Sequence, residues 1–138
     1  IIVRICADNP LISPIEIDRV IQLFINNKVD YAFNHIPALG NEYVDGVGAE
    51  VISFGTLMKI NSMPTNNKQQ EHVTKYIWDN ISKFKIKTLS APVGLKYPDI
   101  SLDIDTEDDL LFLSDVIYKD KSWVYPEDCD VQKILKTI

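Results

Sequence analysis

The first thirteen residues constrain the fold of this chain more than any other stretch. Ile1–Cys6 is an apolar run of strand-forming residues that only Arg4 interrupts. A polar turn follows at Ala7–Pro10, and Ser13–Glu16 then opens a helix. A strand that leads through a short turn into a helix is half of a βαβ unit. Because open α/β sheets bind ligands just beyond the carboxyl ends of their strands, Asp8 in this turn is the first candidate for chemistry.

Composition narrows the class of protein and of partner. A chain of 138 residues is one domain by length, and its net charge of −6 argues against nucleic-acid and anionic-membrane partners. No apolar run approaches the ~20 residues of a membrane span and no signal peptide is visible, so we expect a cytoplasmic protein. Cys6 and Cys129 are too few for a disulfide framework, and the separation of His35 and His72 gives no zinc-ligand spacing.

Hydrophobic periodicity predicts strands and helices in alternation along the rest of the chain. A near-continuous apolar strand normally has neighbours on both sides, so its position at residue 1 predicts that the amino-terminal part of a larger α/β domain is missing. Ser13 with Glu16, and Thr106 with Asp109, have capping-box spacing. Further strands are predicted at Val29–Phe33, Ala49–Phe54, Lys83–Leu89 and Ile100–Ile104, and helices at Ser13–Lys28, Gly55–Ser62, Lys68–Asn80, from Thr106 onward and at about 127–136.

We expect a three-layer α/β domain in which Ile1–Cys6 and Ser101–Ile104 are neighbouring inner strands. Asp8 and Asp105 each follow such a strand and precede a helix, so both carboxylates would face one crevice. Two carboxylates suit Mg²⁺, which typically takes one or two of them together with substrate phosphates. The simpler interpretations are a turn-forming Asp8 and an Asp105 that only complements a helix start. The residues alone leave these interpretations open.

Four segments resemble, in order and approximate spacing, motifs of the sugar cytidylyltransferases of the spore coat polysaccharide biosynthesis type. This branch is related to the acylneuraminate and 3-deoxy-manno-octulosonate cytidylyltransferases. Arg4–Ile12 resembles R-x-x-x-D-x-P-L-I, and Asp45–Val51 resembles D-G-x-x-x-E-V. Glu71–Ile77 resembles E-H-V-T-x-Y-I, and Ile104–Leu110 resembles V-D-T-P-E-D-L. The resemblance implies the nucleotide-diphospho-sugar transferase fold with a mostly parallel sheet, of which residues 1–138 would be the carboxyl-terminal portion.

The resemblance also implies an activity and a set of site residues. The intact enzyme would activate a sugar or sugar acid with CTP for surface polysaccharide biosynthesis, releasing pyrophosphate, and would be a homodimer. Asp8 and Asp105 would be the catalytic pair that holds Mg²⁺. Glu50 would line the sugar side with Asp45 and Gly46, and Glu71 and His72 would lie near the acceptor or a subunit contact. The substrate-binding set implied in full is Arg4, Asn9, Asp45, Gly46, Glu50, Glu71 and His72.

Plainer interpretations stand beside these roles. Arg4 is interpretable as an ion-paired core residue, Glu50 as the partner of a lysine, and His72 as a surface helix residue. Gly48 stands where some members of the family carry Asp. The family's basic, glycine-containing nucleotide loop has no counterpart in this sequence, so we expect the chain alone to bind CTP poorly.

Two other functions remain as alternatives. The first is a glycosyltransferase of the same fold, in which Asp103-Ile104-Asp105 would be a D-x-D motif that holds Mn²⁺ and a nucleotide sugar. The second is a non-catalytic fragment that packs against a partner.

Overall fold

A four-stranded mixed sheet is central to this computed structural model, which describes residues 1–36, 39–63, 65–119, 130–136 and 138. The sheet has the order β1-β3-β2-β4. Strand β3 is antiparallel to β1 and β2, whereas β2 and β4 are parallel. Its strands are β1 (Ile2–Arg4), β2 (Tyr31–Phe33), β3 (Glu50–Ile52) and β4 (Ile86–Thr88).

The register brings the carboxyl ends of three strands to one side of the sheet. Glu50 is paired with Arg4 on one side and Phe33 on the other, and Phe33 is also paired with Thr88. We call this side, formed by Arg4, Phe33, Glu50 and Thr88, the rim. The loops that leave β1, β2 and β4 start at the rim, and the loop that enters β3 ends there.

Helices cover both faces of the sheet, which confirms the predicted three-layer α/β class. Successive side chains of β2 alternate between the faces, so Tyr31 and Phe33 share one face and Ala32 lies on the other. Helix α1 (Pro14–Asn27) packs Val20 and Phe24 on the Ala32 face. Helices α2 (Phe54–Asn61) and α4 (Lys75–Asp79) cover the opposite face. Ile60 of α2 and Tyr76 and Ile77 of α4 pack there.

A third apolar cluster lies around the loops that follow β1 and β2. Leu11, Tyr43 and Leu102 are buried there and pack with Leu113 of α5 (Glu107–Lys119). Helix α6 (Val131–Leu135) completes this cluster, and α3 (Asn67–Glu71) precedes α4. No helix in the described part of the chain has the length and hydropathy that crossing a membrane requires.

Helix capping follows the sequence at one predicted site and departs from it at the other. At the start of α5, the Asp109 N–H donates to Thr106 Oγ1 and the Thr106 N–H donates to Asp109 Oδ2, at 3.3 and 2.8 Å, which confirms that capping box. Ser13 caps α1 by accepting from the Glu16 N–H. The predicted reciprocal bond from the Ser13 N–H to the Glu16 carboxylate is wrong, because the Ser13 N–H donates to the Val47 backbone oxygen. The Glu16 carboxylate accepts from other side chains instead.

Two predicted strand placements are wrong. Residues 100–104 do not join the sheet: Ser101 forms only an isolated parallel bridge with Asp45, and its hydroxyl donates to Asp103, a local bond that competes with strand pairing. Strand β1 lies at one end of the described strand order rather than inside it. Two of the three described strand pairings are antiparallel, so the mostly parallel sheet is not found in this part of the chain.

The helix predicted at Lys68–Asn80 is divided in two. Helix α3 ends at Glu71, His72 is extended with φ −107° and ψ 109°, and α4 begins at Lys75. The break falls at Val73 and Thr74, whose β-branched side chains are stiff in a helix. The last helix is found at Val131–Leu135, and the rest of its predicted start, residues 127–129, lies outside the described residues.

Candidate functional site

The two predicted metal ligands lie on adjacent backbone segments just beyond the rim. Asp8 is exposed in the turn after β1, and its backbone oxygen accepts a hydrogen bond from the Ile104 N–H at 2.9 Å. Asp105 is the next residue and is also exposed, directly before the N-cap of α5. Carboxylates predicted from separate sequence motifs therefore belong to segments that are in direct contact.

Asp45 lies between these segments and the sheet. Its backbone N–H donates to Ile100 at 3.0 Å and its backbone oxygen accepts from the Leu102 N–H at 3.1 Å, which fixes its main chain. Burial raises the pKa of the Asp45 carboxyl, and the carboxylates of Asp103 and Asp8 raise it further, against a neighbouring N–H and the charge of a histidine. Asp8, Asp45 and Asp103 thus form one acidic neighbourhood.

Gly46 explains the glycine of the D-G motif. Its φ is +87°, a conformation that L side chains rarely adopt. A Cβ at this position would lie 2.5 Å from the carbonyl carbon of Leu102 and 2.7 Å from the backbone nitrogen of Asp103. Glycine therefore allows the loop to approach the 102–103 segment closely, and its N–H donates to the Asp45 carboxylate at 2.8 Å.

Glu50 is a buried carboxylate at the rim. Its Oε1 accepts from Arg4 Nη1 at 2.7 Å and from His35 Nε2 at 3.1 Å. The Glu50 side chain is 1% exposed and that of Arg4 is 27% exposed. Arg4 is thus ion-paired, as the plainer interpretation of this residue held. The plainer interpretation of Glu50 predicted a lysine partner and is wrong, because Glu50 pairs with Arg4.

The partners of Glu50 determine its charge. Burial raises the pKa of the Glu50 carboxyl, but the hydrogen bond and charge of His35 lower it, with further lowering by Thr74 and Arg4. The balance leaves this pKa below its ordinary value. Glu50 is therefore an ionised carboxylate held between two basic side chains.

Three buried polar atoms around Glu50 have no hydrogen-bond partner of ordinary geometry among the residues that the structure describes. They are Glu50 Oε2, Thr74 Oγ1 and His35 Nδ1. Tyr31 lies at the same place and accepts a hydrogen bond from Trp78 Nε1 at 2.9 Å on its hydroxyl. Buried polar atoms are rarely left unpaired, so this cluster is more than a packed interior.

The remaining predicted residues are placed differently. Asn9 is buried in the turn beside Asp8, which keeps it within the candidate site. Glu71 and His72 are exposed at the end of α3. The buried members of their motif are Thr74, Tyr76 and Ile77, and the sequence interpretation had not selected Thr74 as a site residue.

His35 and Tyr31 were also missed. His35 stands two residues beyond the end of β2, and strand ends of an α/β sheet are where ligand-facing side chains collect. That rule was applied to the strands before Asp8 and Asp105 and would have identified His35 as well.

The donor chemistry at Asp8 and Asp105 fits Mg²⁺. In the described part of the chain, no three His, Cys, Asp or Glu side chains are grouped closely enough to hold a metal ion by themselves. Mg²⁺ usually keeps several waters and needs only one or two carboxylates with substrate phosphates. Two exposed carboxylates on touching segments are a suitable partial set.

The fold is an α/β domain that carries exposed carboxylates just beyond the rim. The chain superimposes on a cytidylyltransferase from Leptospira borgpetersenii with a TM-score of 0.79, covering 99% of this chain and 54% of that one. Sequence identity to that structure is 24%, so the likeness shows the fold alone.

Sequence comparisons identify the family. The chain is 31% identical over 110 residues to the spore coat polysaccharide biosynthesis protein SpsF of Bacillus subtilis, covering 79% of this chain and 43% of that protein. It is 37% identical over 106 residues to an uncharacterized protein of Methanocaldococcus jannaschii, covering 77% of this chain and 41% of that protein. No family model matches the chain.

These likenesses confirm the resemblance that the four motifs indicated. The chain belongs with the sugar cytidylyltransferases of the spore coat polysaccharide biosynthesis type. It spans about two fifths of the length of the curated relatives that it matches.

Proposed function

We propose that this chain supplies the metal-binding and sugar-facing residues of an enzyme that transfers CMP from CTP to a sugar or sugar acid. The observation that carries the proposal is the hydrogen bond between the Ile104 N–H and the Asp8 backbone oxygen, which joins the segments of Asp8 and Asp105 beyond the rim. Asp8 and Asp105 hold Mg²⁺ in this proposal. The ion, when bound, neutralises phosphate charge and aligns the attacking oxygen.

The reaction is a displacement at the α-phosphate of CTP. A sugar oxygen forms the new bond to the α-phosphorus, the bond to the bridging oxygen breaks, and pyrophosphate leaves with its electron pair. The chain's own contribution is positioning: Asp45 and Gly46 line the sugar side, and Arg4 and Glu50 support that loop from the sheet. Rigid placement of this kind is a major source of rate enhancement.

The nucleotide loop comes from polypeptide outside this chain in this proposal, because the chain lacks a basic glycine-containing loop. We therefore expect background pyrophosphate release when the chain alone is mixed with CTP, Mg²⁺ and sialic or octulosonic acid. The complete protein that contains this chain should turn over the same mixture. Robust turnover by the chain alone would show that residues interpreted here as structural bind the nucleotide.

The metal assignment is tested with Mg²⁺ and three matched variants of the chain, Asp8→Asn, Asp105→Asn and Asp103→Asn. A ligand at ten times its Kd stabilises a protein by about 1.4 kcal/mol, so saturating Mg²⁺ should raise the Tm of the wild type by about 5 °C. Asp8→Asn and Asp105→Asn should lose this rise, and Asp103→Asn should retain it.

One pattern of results would favour a different enzyme. If Asp103→Asn is the variant that loses the metal response, and the complete protein consumes a nucleotide sugar with Mn²⁺, the D-x-D glycosyltransferase is the better assignment. Exposure of Glu71 and His72 leaves both available for the subunit contact of a homodimer, which sedimentation of the complete protein would test.

A further inference from the structure

His35 is the side chain that connects the sheet to the loop of the candidate site. It follows β2 and is 9% exposed. Its Nε2 lies 3.1 Å from Glu50 Oε1, and Glu50 stands opposite Phe33 in the strand register. The same carboxylate oxygen accepts from Arg4 of β1 at 2.7 Å. Arg4 and His35, from the segments on either side of β3, thus contact the same oxygen of Glu50, and this contact fixes the imidazole.

This contact also determines which ring nitrogen carries hydrogen. A carboxylate oxygen only accepts, so the ring must donate through Nε2. The other nitrogen, Nδ1, is buried and has no hydrogen-bond partner within the described part of the chain. Glu50 therefore orients the imidazole of His35 through one ring nitrogen. Catalytic and metal-bound histidines are oriented in the same way, by a hydrogen bond at the ring nitrogen that does not react or bind the metal.

The other side of His35 meets the loop that carries Asp45. A Cβ added to Gly48 would lie 2.6 Å from His35 Cβ and 2.5 Å from Asn34 Oδ1, so the loop backbone rests directly on these residues. Asp45, three residues earlier, is near enough for the charge of His35 to act on its carboxyl. Gly48 stands where some family members carry Asp, and a side chain there would displace His35.

We propose that His35 is a positioning residue of the sugar subsite, held by Glu50 through Nε2 and supporting the Asp45–Gly48 loop where its Cβ packs against Gly48. The proposal rests on the proposed function, which assigns the sugar to Asp45 and Gly46. His35 acts through the loop and does not contact the reacting atoms.

Two amide variants separate this role from simple packing. In His35→Gln the side-chain amide reaches the position of Nε2 and can still donate to Glu50, whereas the shorter side chain of His35→Asn cannot. Hydrogen exchange is measured by NMR on the labelled chain at two loop amides, Gly46, which donates to Asp45, and Ala49, which donates to Asn34. The Leu110 amide in α5 serves as the reference.

His35→Asn should accelerate exchange at Gly46 and Ala49 by about tenfold, while His35→Gln stays within about twofold of the wild type and exchange at Leu110 is unchanged. In the complete enzyme, His35→Asn should raise the KM for the sugar about tenfold with kcat and the KM for CTP unchanged, and His35→Gln should keep the KM for the sugar at the wild-type value. Long-range ¹H–¹⁵N spectra should show hydrogen on Nε2.

Each contrary result is decisive. Equal effects of His35→Gln and His35→Asn, or acceleration of exchange at Leu110 as large as in the loop, would show a general structural role and overturn the proposal. A loop response without a change in sugar KM would overturn the link to the sugar subsite. A wild-type complete enzyme that does not turn over CTP would overturn the proposed function, and the exchange data would still decide whether His35 holds the loop.

Discussion

Replacing Glu50 by glutamine tests whether the charge of this buried carboxylate holds the rim together. Removing one member of a buried ion pair costs roughly 3–5 kcal/mol, because the remaining charge is left without compensation. Glutamine keeps an oxygen that can accept from Arg4 and His35, and the Arg4 side chain is 27% exposed and can be partly rehydrated. For both reasons, Glu50→Gln should lower the free energy of unfolding by about 2–3 kcal/mol, at or slightly below the lower end of that range.

The assay is urea and thermal unfolding at pH 7. For a chain of 138 residues, 1 kcal/mol shifts Tm by about 3–5 °C, so Glu50→Gln should lower Tm by about 10 °C. Glu42→Gln is the matched control: its ion pair with Lys96 is 2.8 Å long, close to the 2.7 Å of the Arg4–Glu50 pair, but the two side chains are 51% and 52% exposed. An exposed pair of this kind is worth about 0–1 kcal/mol.

The same variant has a predicted pH dependence. The pKa of Glu50 in the folded protein lies below its ordinary value of 4.5. Stability from such a group is fully present above the pKa of the unfolded state and is lost as pH falls through the folded-state pKa. The stability that the Glu50 carboxylate contributes should therefore be present at pH 7 and shrink as pH falls below about 4.5. A difference between wild type and Glu50→Gln near zero at pH 7, or one that grows below about pH 4.5, would refute this reasoning.

Two further substitutions test the loop of the candidate site by urea unfolding. Gly46→Ala should cost about 2–4 kcal/mol, because φ is +87° and its Cβ would meet the Leu102 backbone; Gly40→Ala, with φ +83° and open space around it, should cost about 1 kcal/mol. Equal costs would show that close approach to the 102–103 segment is unimportant. Tyr43→Phe removes the hydroxyl that donates to the buried Glu16 at 2.8 Å and should cost about 1–2 kcal/mol. A neutral effect would mean that Arg19 and Asn34, which also donate to the Glu16 carboxylate, satisfy it without the Tyr43 hydroxyl.

Features with local causes were predictable from the sequence. The Thr106–Asp109 capping box depends on residues three apart, and it forms as predicted. The break between α3 and α4 is also local, but the apolar spacing of the segment continues across it and hides it. The backbone leaves the helical conformation at His72, and the β-branched Val73 and Thr74 that follow are stiff in a helix.

The partners of Glu50 were not predictable, because they depend on strand order. Periodicity identifies strands but does not state that β3 lies between β1 and β2, and this order alone places Arg4 and His35 on the two sides of Glu50. The segment at residues 100–104 was predicted as a strand and is not one, for the same reason. Its apolar residues predict a strand, yet its backbone bonds go to the Asp45 loop and to Asp8, partners that are remote in sequence.

Two buried carboxylates hold the long loop between β2 and β3 at neighbouring residues. Asn34 donates to Glu16 Oε2 at 3.3 Å and accepts from the Ala49 N–H at 2.8 Å, while His35 donates to Glu50. The first carboxylate belongs to α1 and the second to β3, so the loop start is anchored to two different layers of the fold. Buried charges are weak sources of net stability. In the proposed function, these two carboxylates would order the Asp45 loop before a ligand binds, which would remove an ordering cost from binding.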